Sequence, residues 1–334
     1  MDGLASGYGK FFKNLLASSI LGLSLLACSL SACAQDFPSR PVKIVVPYGA
    51  GGTIDLMARL LAPALSARLG QPVVIENKPG AGTMIGAEAV ARAQADGYTL
   101  LLGSNAAFTI SPQLMDKVSY DPLKSFAAIA TISVFPNLIL VKPDSPFMTM
   151  RDVVAAARQA PGKLSYSSFG AGSTAQLSAE GIKTAAGLDI THIPYKSGAQ
   201  STQAIVSGEV SFGFDTVIGS AQRVKSGQLR ALAVTSQSRW PDLPDVLTLA
   251  EQGVQGGEVT AWVALFAPAT TPQAIQDKLS IVLQQVMGEQ DIKTKFANMS
   301  VGAEFIGSAQ TMQMVALEHK KFAELIKKAN IRMD

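Results

Sequence analysis

Apolar and polar positions along the chain follow two spacings in turn, and each spacing predicts a type of element. Residues 42–48 are an apolar run typical of a buried strand. Over residues 53–69, Leu56, Leu60 and Leu61 recur at a spacing that places them on one face of a helix. The alternation continues with a strand over 72–78, a helix over 83–95 and a strand over 98–104. This β-α-β-α-β order predicts a parallel, doubly wound sheet.

A second round of alternation follows a long apolar segment, residues 126–143, which contains Pro136 and is predicted to carry the chain out of the first lobe. The second round contains strands over 163–169, 189–195, 210–216 and 229–236, and helices over 173–187 and 198–207. Residues 260–269 are strand-like again and are predicted to lead back. From Pro272 onward the pattern is helical and amphipathic.

We therefore predict an α/β protein with two doubly wound lobes and a hinge. Residues 35–138 plus 260–334 form the first lobe, and residues 139–259 form a second lobe inserted between two hinge crossings. A single large doubly wound sheet is the alternative. The length of 334 residues, 48% of them hydrophobic, suits a sizeable core and about two domains.

The two lobes begin with similar glycine-rich turns. Residues 48–53 read "YGAGGT" and residues 169–174 read "FGAGST", each between a predicted strand and a predicted helix. Glycine permits positive φ and leaves room for a ligand, and the first N–H groups of a helix attract anions. The repeat predicts one anion site on each lobe, although glycine turns can also resemble each other by chance. A third such turn, "NKPGAG" over 77–82, is interpreted as only the start of a helix.

The motifs of common phosphate sites and hydrolases are missing. The chain has no "GxxxxGK[ST]" and no "GxSxG", and Ile54 stands where a dinucleotide loop has its third glycine. A nucleophilic Ser173 with His192 as its base is a minor alternative. We interpret His192 as a packed strand residue and His319 as part of a solvated helix face.

Charge and histidine content limit the classes of partner. The net charge is +3, without a Lys/Arg block, which argues against a nucleic-acid partner. Only two histidines are present, too few for a His-based metal site. We expect neither a metal nor another cofactor.

The first 34 residues are predicted to be an export signal. Lys10 and Lys13 precede the apolar run "LLASSILGLSLLACSLSA", and "ACA" offers a cleavage site before Gln35. Alternatively, "LSAC" resembles a bacterial lipobox that ends at Cys33. Both cysteines, Cys28 and Cys33, lie in this segment, so cleavage before Gln35 leaves no disulfide and no thiol nucleophile.

Several long motifs occur in an order that resembles the Bug receptors, the substrate-binding proteins of tripartite tricarboxylate transporters. They are "FPSRPVKIVVPYGAGGTIDLMARLLA", "VVIENKPGAGTMIGAEAVARAQADGYTLLLGS", "HIPYKSGAQSTQAIVSGEVSFGFDT" and "GQLRALAVTSQSRWPDLPDVLTLAEQGV". The resemblance runs from about Phe37 to the C-terminus. It implies a type II periplasmic-binding-protein fold that closes on a di- or tricarboxylate, an acidic amino acid or an aromatic acid. It also implies membrane transporter subunits as partners, and we expect a monomer.

The resemblance assigns ligand contact to the turns that end strands in both lobes. The first-lobe positions are Tyr48, Gly49, Ala50, Gly51, Gly52, Thr53, Ser104, Asn105 and Ala106. The second-lobe positions are Ser167, Gly170, Ala171, Gly172, Ser173, Thr174, Gln176, Phe214 and Asp215. The chain departs from the family at such positions: "PYGAGG" replaces a "PFPPGG"-like loop, Gln176 stands near a frequent histidine, and "YKSG" replaces "YKG". The resemblance therefore does not identify the solute.

Four side chains near these turns have competing interpretations. Asp55 would repel a bound carboxylate, so we expect it to point away and brace the first loop. Asp215 either accepts a ligand ammonium or hydroxyl, or caps the helix that follows it. Lys196 is interpreted as solvated, with anion binding as the alternative. Phe169, like Tyr48 in the other loop, either stacks on a flat ligand or packs into the core.

The function predicted from these features is that of a periplasmic solute receptor, not an enzyme. It captures a small carboxylate between its lobes and delivers it to a membrane transporter. The alternatives are a hydrolase or transferase that acts on an anionic metabolite, and a receptor that serves a membrane sensor kinase.

Overall fold

Two groups of strands that share one long strand organise residues 37–332, the part of the chain that this computed structural model describes. The strands are β1 Val42–Val46, β2 Val73–Asn77, β3 Thr99–Ser104, β4 Phe126–Val141, β5 Ser165–Ser168, β6 Thr191–Pro194, β7 Phe212–Thr216, β8 Arg230–Val234, β9 Thr260–Pro268 and β10 Ile306–Gly307. The helices are α1 Thr53–Leu69, α2 Met84–Ala91, α3 Ser111–Leu114, α4 Met150–Gln159, α5 Thr174–Ala186, α6 Gly198–Ser207, α7 Val217–Lys225, α8 Gln273–Gly288, α9 Gln290–Asn298 and α10 Ser308–Ala329. The predicted signal segment, including both cysteines, lies outside the described residues.

The first group contains β1, β2 and β3 as parallel strands in the order β2-β1-β3. β9 runs antiparallel to β3, and residues 126–136 of β4 run antiparallel to β9. The short β10 pairs with β4 at Thr131. The three parallel strands confirm the first predicted β-α-β-α-β unit.

The second group repeats this arrangement. Its parallel strands follow the order β6-β5-β7, so the first strand of the unit again lies between the second and the third. Residues 137–141 of β4 pair with β7 and with β8, both antiparallel. Each group therefore has a point beside its first strand where the strand order reverses, and doubly wound sheets bind ligands at such points.

The chain passes between the groups at two adjacent places. Pro136 is the last residue of β4 that pairs with β9, opposite Thr260, and Asn137 is the first that pairs with β7, opposite Thr216. All residues from Arg40 to the end of the described part belong to one compact unit. The exact lobe boundaries predicted from the sequence stay predictions.

Each group has its own aromatic core. In the first, the rings of Phe108 and Phe266 stack with centroids 4.1 Å apart. In the second, Tyr166 packs beside Phe212 and Phe214. A smaller buried cluster joins α10 to α5 and to the segment before β9; its members are Ile110, Leu177, Val259, Phe322, Ile326 and Ile331. The C-terminal helix thus contacts elements of both groups.

The predicted apolar face of α1 is wrong in detail. Met57, Leu61 and Leu65 are buried, whereas Leu56 is 46% exposed. Three helices were not predicted, namely α3, α4 and α7. None of the helices in residues 37–332 is both long and apolar enough to cross a membrane.

Candidate ligand-binding site

A cavity of about 860 Å³ lies at the carboxyl ends of the parallel strands and is lined by both groups. Twelve residues proposed from the sequence line it: Tyr48, Gly51, Gly52, Thr53, Ser104, Asn105, Ala106, Ala171, Gly172, Ser173, Thr174 and Asp215. The first seven of these residues lie at or just after the ends of strands of the first group, and the last five lie at or just after the ends of strands of the second group. Both order-reversal points therefore open into the same space, as expected for a ligand cleft.

The first glycine loop is held by a side chain from within its own helix. Gly51 has φ +82°, a conformation that favours glycine, and its N–H donates to Oδ2 of Asp55 at 2.8 Å. Gly52 is the N-cap of α1 and provides no side chain of its own. The loop conformation thus depends on Asp55, four residues after Gly51.

Asp55 points away from the cavity and braces the loop, as predicted. It is 1% exposed, and its carboxylate accepts hydrogen bonds from Arg59 Nε at 2.9 Å and Asn77 Nδ2 at 2.8 Å. These donors, the Arg59 guanidinium foremost, lower the pKa of Asp55 to about 2. The carboxylate is therefore charged and fully occupied by the protein.

The second glycine loop has the same geometry. Gly172 has φ +70°, and its N–H donates to Oε1 of Gln176 at 2.7 Å, again four residues ahead. Ser173, the N-cap of α5, accepts a hydrogen bond from the Gln176 N–H at 3.3 Å. The two loops thus repeat one structural feature, a glycine at positive φ whose N–H is bonded to the side chain four residues ahead, although Gly170 has φ +130° and its counterpart Gly49 has no positive φ.

Both loops leave backbone donors at a helix start. Within residues 37–332, no acceptor is hydrogen-bonded to the amides of Thr53 and Ile54 in α1, or of Thr174 and Ala175 in α5. Thr53, Ile54 and Thr174 line the cavity. Free N–H groups at the positive ends of two long helices can bind anions.

A chain of hydrogen bonds supports the second loop from behind. Gln176 Nε2 lies 3.2 Å from His192 Nδ1, and His192 Nε2 lies 2.7 Å from Ser168 Oγ. Because an amide nitrogen can only donate, Nδ1 accepts and Nε2 carries the proton. Burial lowers the pKa of His192 to about 4, in agreement with a neutral ring. The ring also stacks on Tyr166, as expected for a packed strand residue.

The alternative of a Ser173 nucleophile is not supported by this geometry. The Ser173 hydroxyl donates to the carbonyl of Gly170 at 2.7 Å, while His192 is bonded to Ser168 instead. Among the described residues, no group of three or more His, Cys, Asp or Glu side chains is arranged to hold a metal ion.

The hydroxyl groups of Tyr48 and Ser104 form one hydrogen bond in the part of the cavity that the first strand group lines. Tyr48 Oη and Ser104 Oγ are 2.5 Å apart, and burial raises the pKa of Tyr48 to about 12. The pair has two hydroxyl hydrogens, and only one is used in this bond. The other has no acceptor among residues 37–332 and is available to a ligand acceptor such as a carboxylate.

Asn105 lines the cavity, but the protein uses its side chain. Nδ2 donates to Thr260 O at 3.2 Å and to Glu318 Oε2 at 2.8 Å, and Oδ1 accepts from Trp262 N at 2.9 Å. Glu318 also accepts from Trp262 Nε1 at 2.7 Å and Thr109 Oγ1 at 3.4 Å, and its burial raises its pKa to about 7. Asn105 therefore connects β3, β9 and α10 beneath the cavity.

Asp215 lies between the starts of α6 and α7. Its carboxylate accepts from Ser220 Oγ at 2.5 Å, from Thr202 Oγ1 at 3.3 Å and from the Thr216 N–H at 2.9 Å. A Cβ on Gly198 would lie 2.6 Å from Oδ1, so the α6 backbone approaches the carboxylate closely. The side chain is 4% exposed, and burial raises its pKa. The side-chain cap of α7 is Thr216, not Asp215.

Six proposed positions do not line the cavity: Gly49, Ala50, Ser167, Gly170, Gln176 and Phe214. Ser167 and Phe214 are fully buried because β5 and β7 are inner strands of their group. Gln176 is turned toward Gly172 and His192. Lys196 is exposed and also lies outside the lining.

Other lining residues were missed by the sequence interpretation. The "NKPGAG" turn does more than start α2, since Gly82 and Thr83 line the cavity. Phe169 was not missed: both of its interpretations apply, because it lines the cavity and also packs against the core of the second group. Arg223, in the last turn of α7, was also missed, because no local motif gave a signal for it.

Comparison with known proteins agrees with this architecture. The family model described as the tripartite tricarboxylate transporter family receptor matches residues 57–331. A UPF0065 protein of Bordetella pertussis is 39% identical over 264 residues, which are 79% of this chain and 81% of that protein.

Solved structures are similar over nearly their whole length. The R. palustris protein Rpa4515, solved with adipate, has a TM-score of 0.78 and 35% identity, covering 90% of this chain and 100% of that chain. The periplasmic binding protein BugD has a TM-score of 0.75 and 33% identity, covering 89% and 100%. The two-lobed periplasmic-binding-protein fold predicted from the sequence is confirmed by this likeness. With a family match over most of its length, this chain belongs to the tripartite tricarboxylate transporter receptor family, whose members are periplasmic solute-binding proteins.

Proposed function

We propose that this protein captures a small dicarboxylate in the cavity between its two strand groups and delivers it to a membrane transporter. The observation that carries the proposal is the pair of braced glycine loops, each with free helix amides beside the same cavity. Two such sites suit a solute with two separated acid groups. Tricarboxylates, acidic amino acids and aromatic acids belong to the wider class of carboxylate ligands expected from the sequence.

The cavity wall also suits an aliphatic spacer between the acids. Apolar side chains stand among the polar turns, namely Ile54, Ile110, Phe135, Phe169 and Trp262. The similar R. palustris structure was solved with adipate, a diacid with an aliphatic chain. Burial of methylene groups against these side chains would contribute about 0.8 kcal/mol per CH₂.

The proposal describes a receptor and not an enzyme. The hydroxyl of Ser173 is bonded within its loop, and His192 is neutral and has both ring nitrogens bonded. Neither is placed to act as a nucleophile or base toward a ligand in the cavity. Incubation of the pure protein with the acids that it binds, followed by analysis for products, would reveal turnover if the alternative were correct.

The proposed location of the working receptor is the periplasm, reached by the signal segment. We expect a mature chain that begins at Gln35, or at a lipidated Cys33, and acts as a monomer. Mass spectrometry of the protein purified from its native envelope distinguishes these forms. An intact Met1 in the exported protein would contradict both.

The ligand class is tested by thermal shift and titration calorimetry. The set includes succinate, glutarate, adipate and suberate, citrate, glutamate, an aromatic diacid and matched monoacids. A ligand present at 100 times its Kd raises stability by about 2.7 kcal/mol, which a thermal shift detects. We expect the best ligand to be a diacid, and failure of every acid to bind would refute the proposal.

Closure of the cavity on the ligand is tested by small-angle X-ray scattering. β4 and the start of β9 are the two connections between the strand groups, at Pro136 to Asn137 and at Thr260. A ligand that binds the closed form more tightly shifts the population toward it. We expect a smaller radius of gyration at saturation, and an unchanged radius would argue against hinge motion.

A further inference from the structure

Among the described residues that line the cavity, only Asp215 and Arg223 are charged. They lie near opposite ends of α7: Asp215 precedes Thr216, the N-cap of the helix, and Arg223 is in its last turn. Thr216, Gly219 and Arg223 all line the cavity at spacings of three and four residues, which is one face of a helix. At about 1.5 Å per residue, that face extends roughly 10 Å along the cavity.

The two charges differ in what they contact. The Asp215 carboxylate accepts three hydrogen bonds from Ser220, Thr202 and Thr216. The Arg223 guanidinium, which is half-buried, makes no hydrogen bond, ion pair or ring contact with any residue in 37–332. Other arginines and lysines in residues 37–332 do form ion pairs; Arg59 Nε, for example, lies 2.9 Å from Asp55 Oδ2.

We infer that Arg223 binds one of the two acid groups of the ligand and selects diacids over monoacids. This inference rests on the proposed function and adds the residue that sets its selectivity. A guanidinium forms two parallel, charge-assisted hydrogen bonds with a carboxylate, which backbone amides alone do not supply. Among the described residues of the cavity wall, Arg223 supplies the one full positive charge, so the second acid group of a dianion has no other cationic side chain there with which to pair.

The test compares each diacid with its monoamide, which has nearly the same shape and one charge less. Calorimetry is done with succinate, glutarate, adipate, suberate and their monoamides on the wild type, Arg223→Gln and Arg158→Gln. Arg158 is the matched control, because it is an exposed arginine on α4 of the same strand group and does not line this cavity. The Tm of each variant is measured first, and Arg223→Met, which keeps the apolar stem, is made as a second variant in case Arg223→Gln does not fold.

For the best-bound diacid, we expect Arg223→Gln to weaken binding about 10- to 100-fold while the monoamide changes less than about threefold. The wild-type preference for the diacid is then lost, and Arg158→Gln retains it. If Arg223 only balanced the charge of Asp215, diacid and monoamide would weaken equally, and that outcome overturns the inference. An unchanged preference in Arg223→Gln overturns it as well. If the wild type binds none of the acids, it is the proposed function that fails.

Discussion

Asp55 and Gln176 occupy equivalent places in two loops that are far apart in the sequence. Asp55 Oδ2 accepts the Gly51 N–H at 2.8 Å, and Gln176 Oε1 accepts the Gly172 N–H at 2.7 Å. One brace is a carboxylate whose charge is balanced by Arg59, and the other is a neutral amide. The same backbone geometry is thus maintained by two chemistries, and this difference makes the loops separately testable.

The first prediction concerns the brace of the first loop. Asp55→Ala leaves the Gly51 amide and Asn77 without their buried acceptor and removes the partner of Arg59. We expect a loss of about 2–3 kcal/mol in the free energy of unfolding, less than for a fully buried pair because Arg59 is 51% exposed. Chemical denaturation measures it. Asp291→Ala, which removes an exposed pair with Lys295, is the control and should change stability by less than about 1 kcal/mol.

The second prediction places a negative charge in each loop in turn. Gly51→Asp and Gly172→Asp put a carboxylate where the ligand's acid is expected, so each should weaken binding of the best diacid by at least about 3 kcal/mol, more than roughly 100-fold. Gly51→Asn and Gly172→Asn are the matched controls, because Asn has nearly the same shape as Asp, carries no charge and adopts positive φ about as readily as Asp does.

Calorimetry on these four variants separates charge from backbone strain. We expect both Asn variants to bind clearly better than their Asp counterparts, with circular dichroism showing a folded protein throughout. If Gly172→Asp binds like the wild type while Gly51→Asp does not, the ligand belongs to the first loop alone and the repeat has no role in binding.

The third prediction concerns the protonation of His192. In the wild type, burial lowers the His192 pKa from 6.5 to about 4. The neutral ring therefore contributes its full stabilisation of the folded state above pH 6.5, and this contribution is lost as the pH falls through 4. Gln176→Glu replaces the amide that donates to Nδ1 with a carboxylate. The carboxylate accepts a hydrogen bond from Nδ1–H and so favours the protonated ring. We expect the His192 pKa to rise by at least about one unit.

Imidazole resonances followed by NMR through a pH titration measure this change. The chain has two histidines, so His319 serves as the internal reference. A His192 titration that is identical in both proteins would show that Gln176 does not contact the ring in solution.

The fourth prediction concerns Glu318 below the cavity. Its folded-state pKa is raised from 4.5 to about 7 by burial, so the stabilisation from its protonation is complete below about 4.5 and is lost as pH rises through 7. At roughly 1.4 kcal/mol per pKa unit, the contribution is at most about 3 kcal/mol. The positive charge of Lys321 lowers the Glu318 pKa and so opposes part of this rise. His319, the next residue in the sequence, is also titratable.

Glu318→Gln should remove this part of the pH dependence. We expect the difference in unfolding free energy between wild type and variant to shift in favour of the wild type as pH is lowered from 8 to 5. A difference that stays constant across that range would mean that Glu318 does not titrate there. Glu324→Gln, an exposed change on the same helix, is the control.

Local sequence was sufficient for the elements nearest the ligand loops. The apolar runs of β1 and β5, followed by glycine turns and helical spacing, gave α1 and α5 and the two loops between them, because period, turn chemistry and helix start are all encoded within about twenty residues. Local sequence was also enough to predict that Asp55 points away from the ligand and braces its loop, because its carboxylate would repel a bound anion. The second round of alternation predicted two lobes, and the family motifs then implied the type II periplasmic-binding-protein fold.

Tertiary structure decided the contacts that join distant segments. Asn105 was a proposed ligand residue, yet its amide is bonded to Thr260, Trp262 and Glu318, up to 213 residues away. Arg223 had no motif, and only the packing of α7 beside β4 and β7 brings it to the cavity wall. A side chain's role depends on which partners already satisfy its hydrogen bonds and charge. Residues 37–332 bring those partners together from several strands and helices, so no local pattern records them.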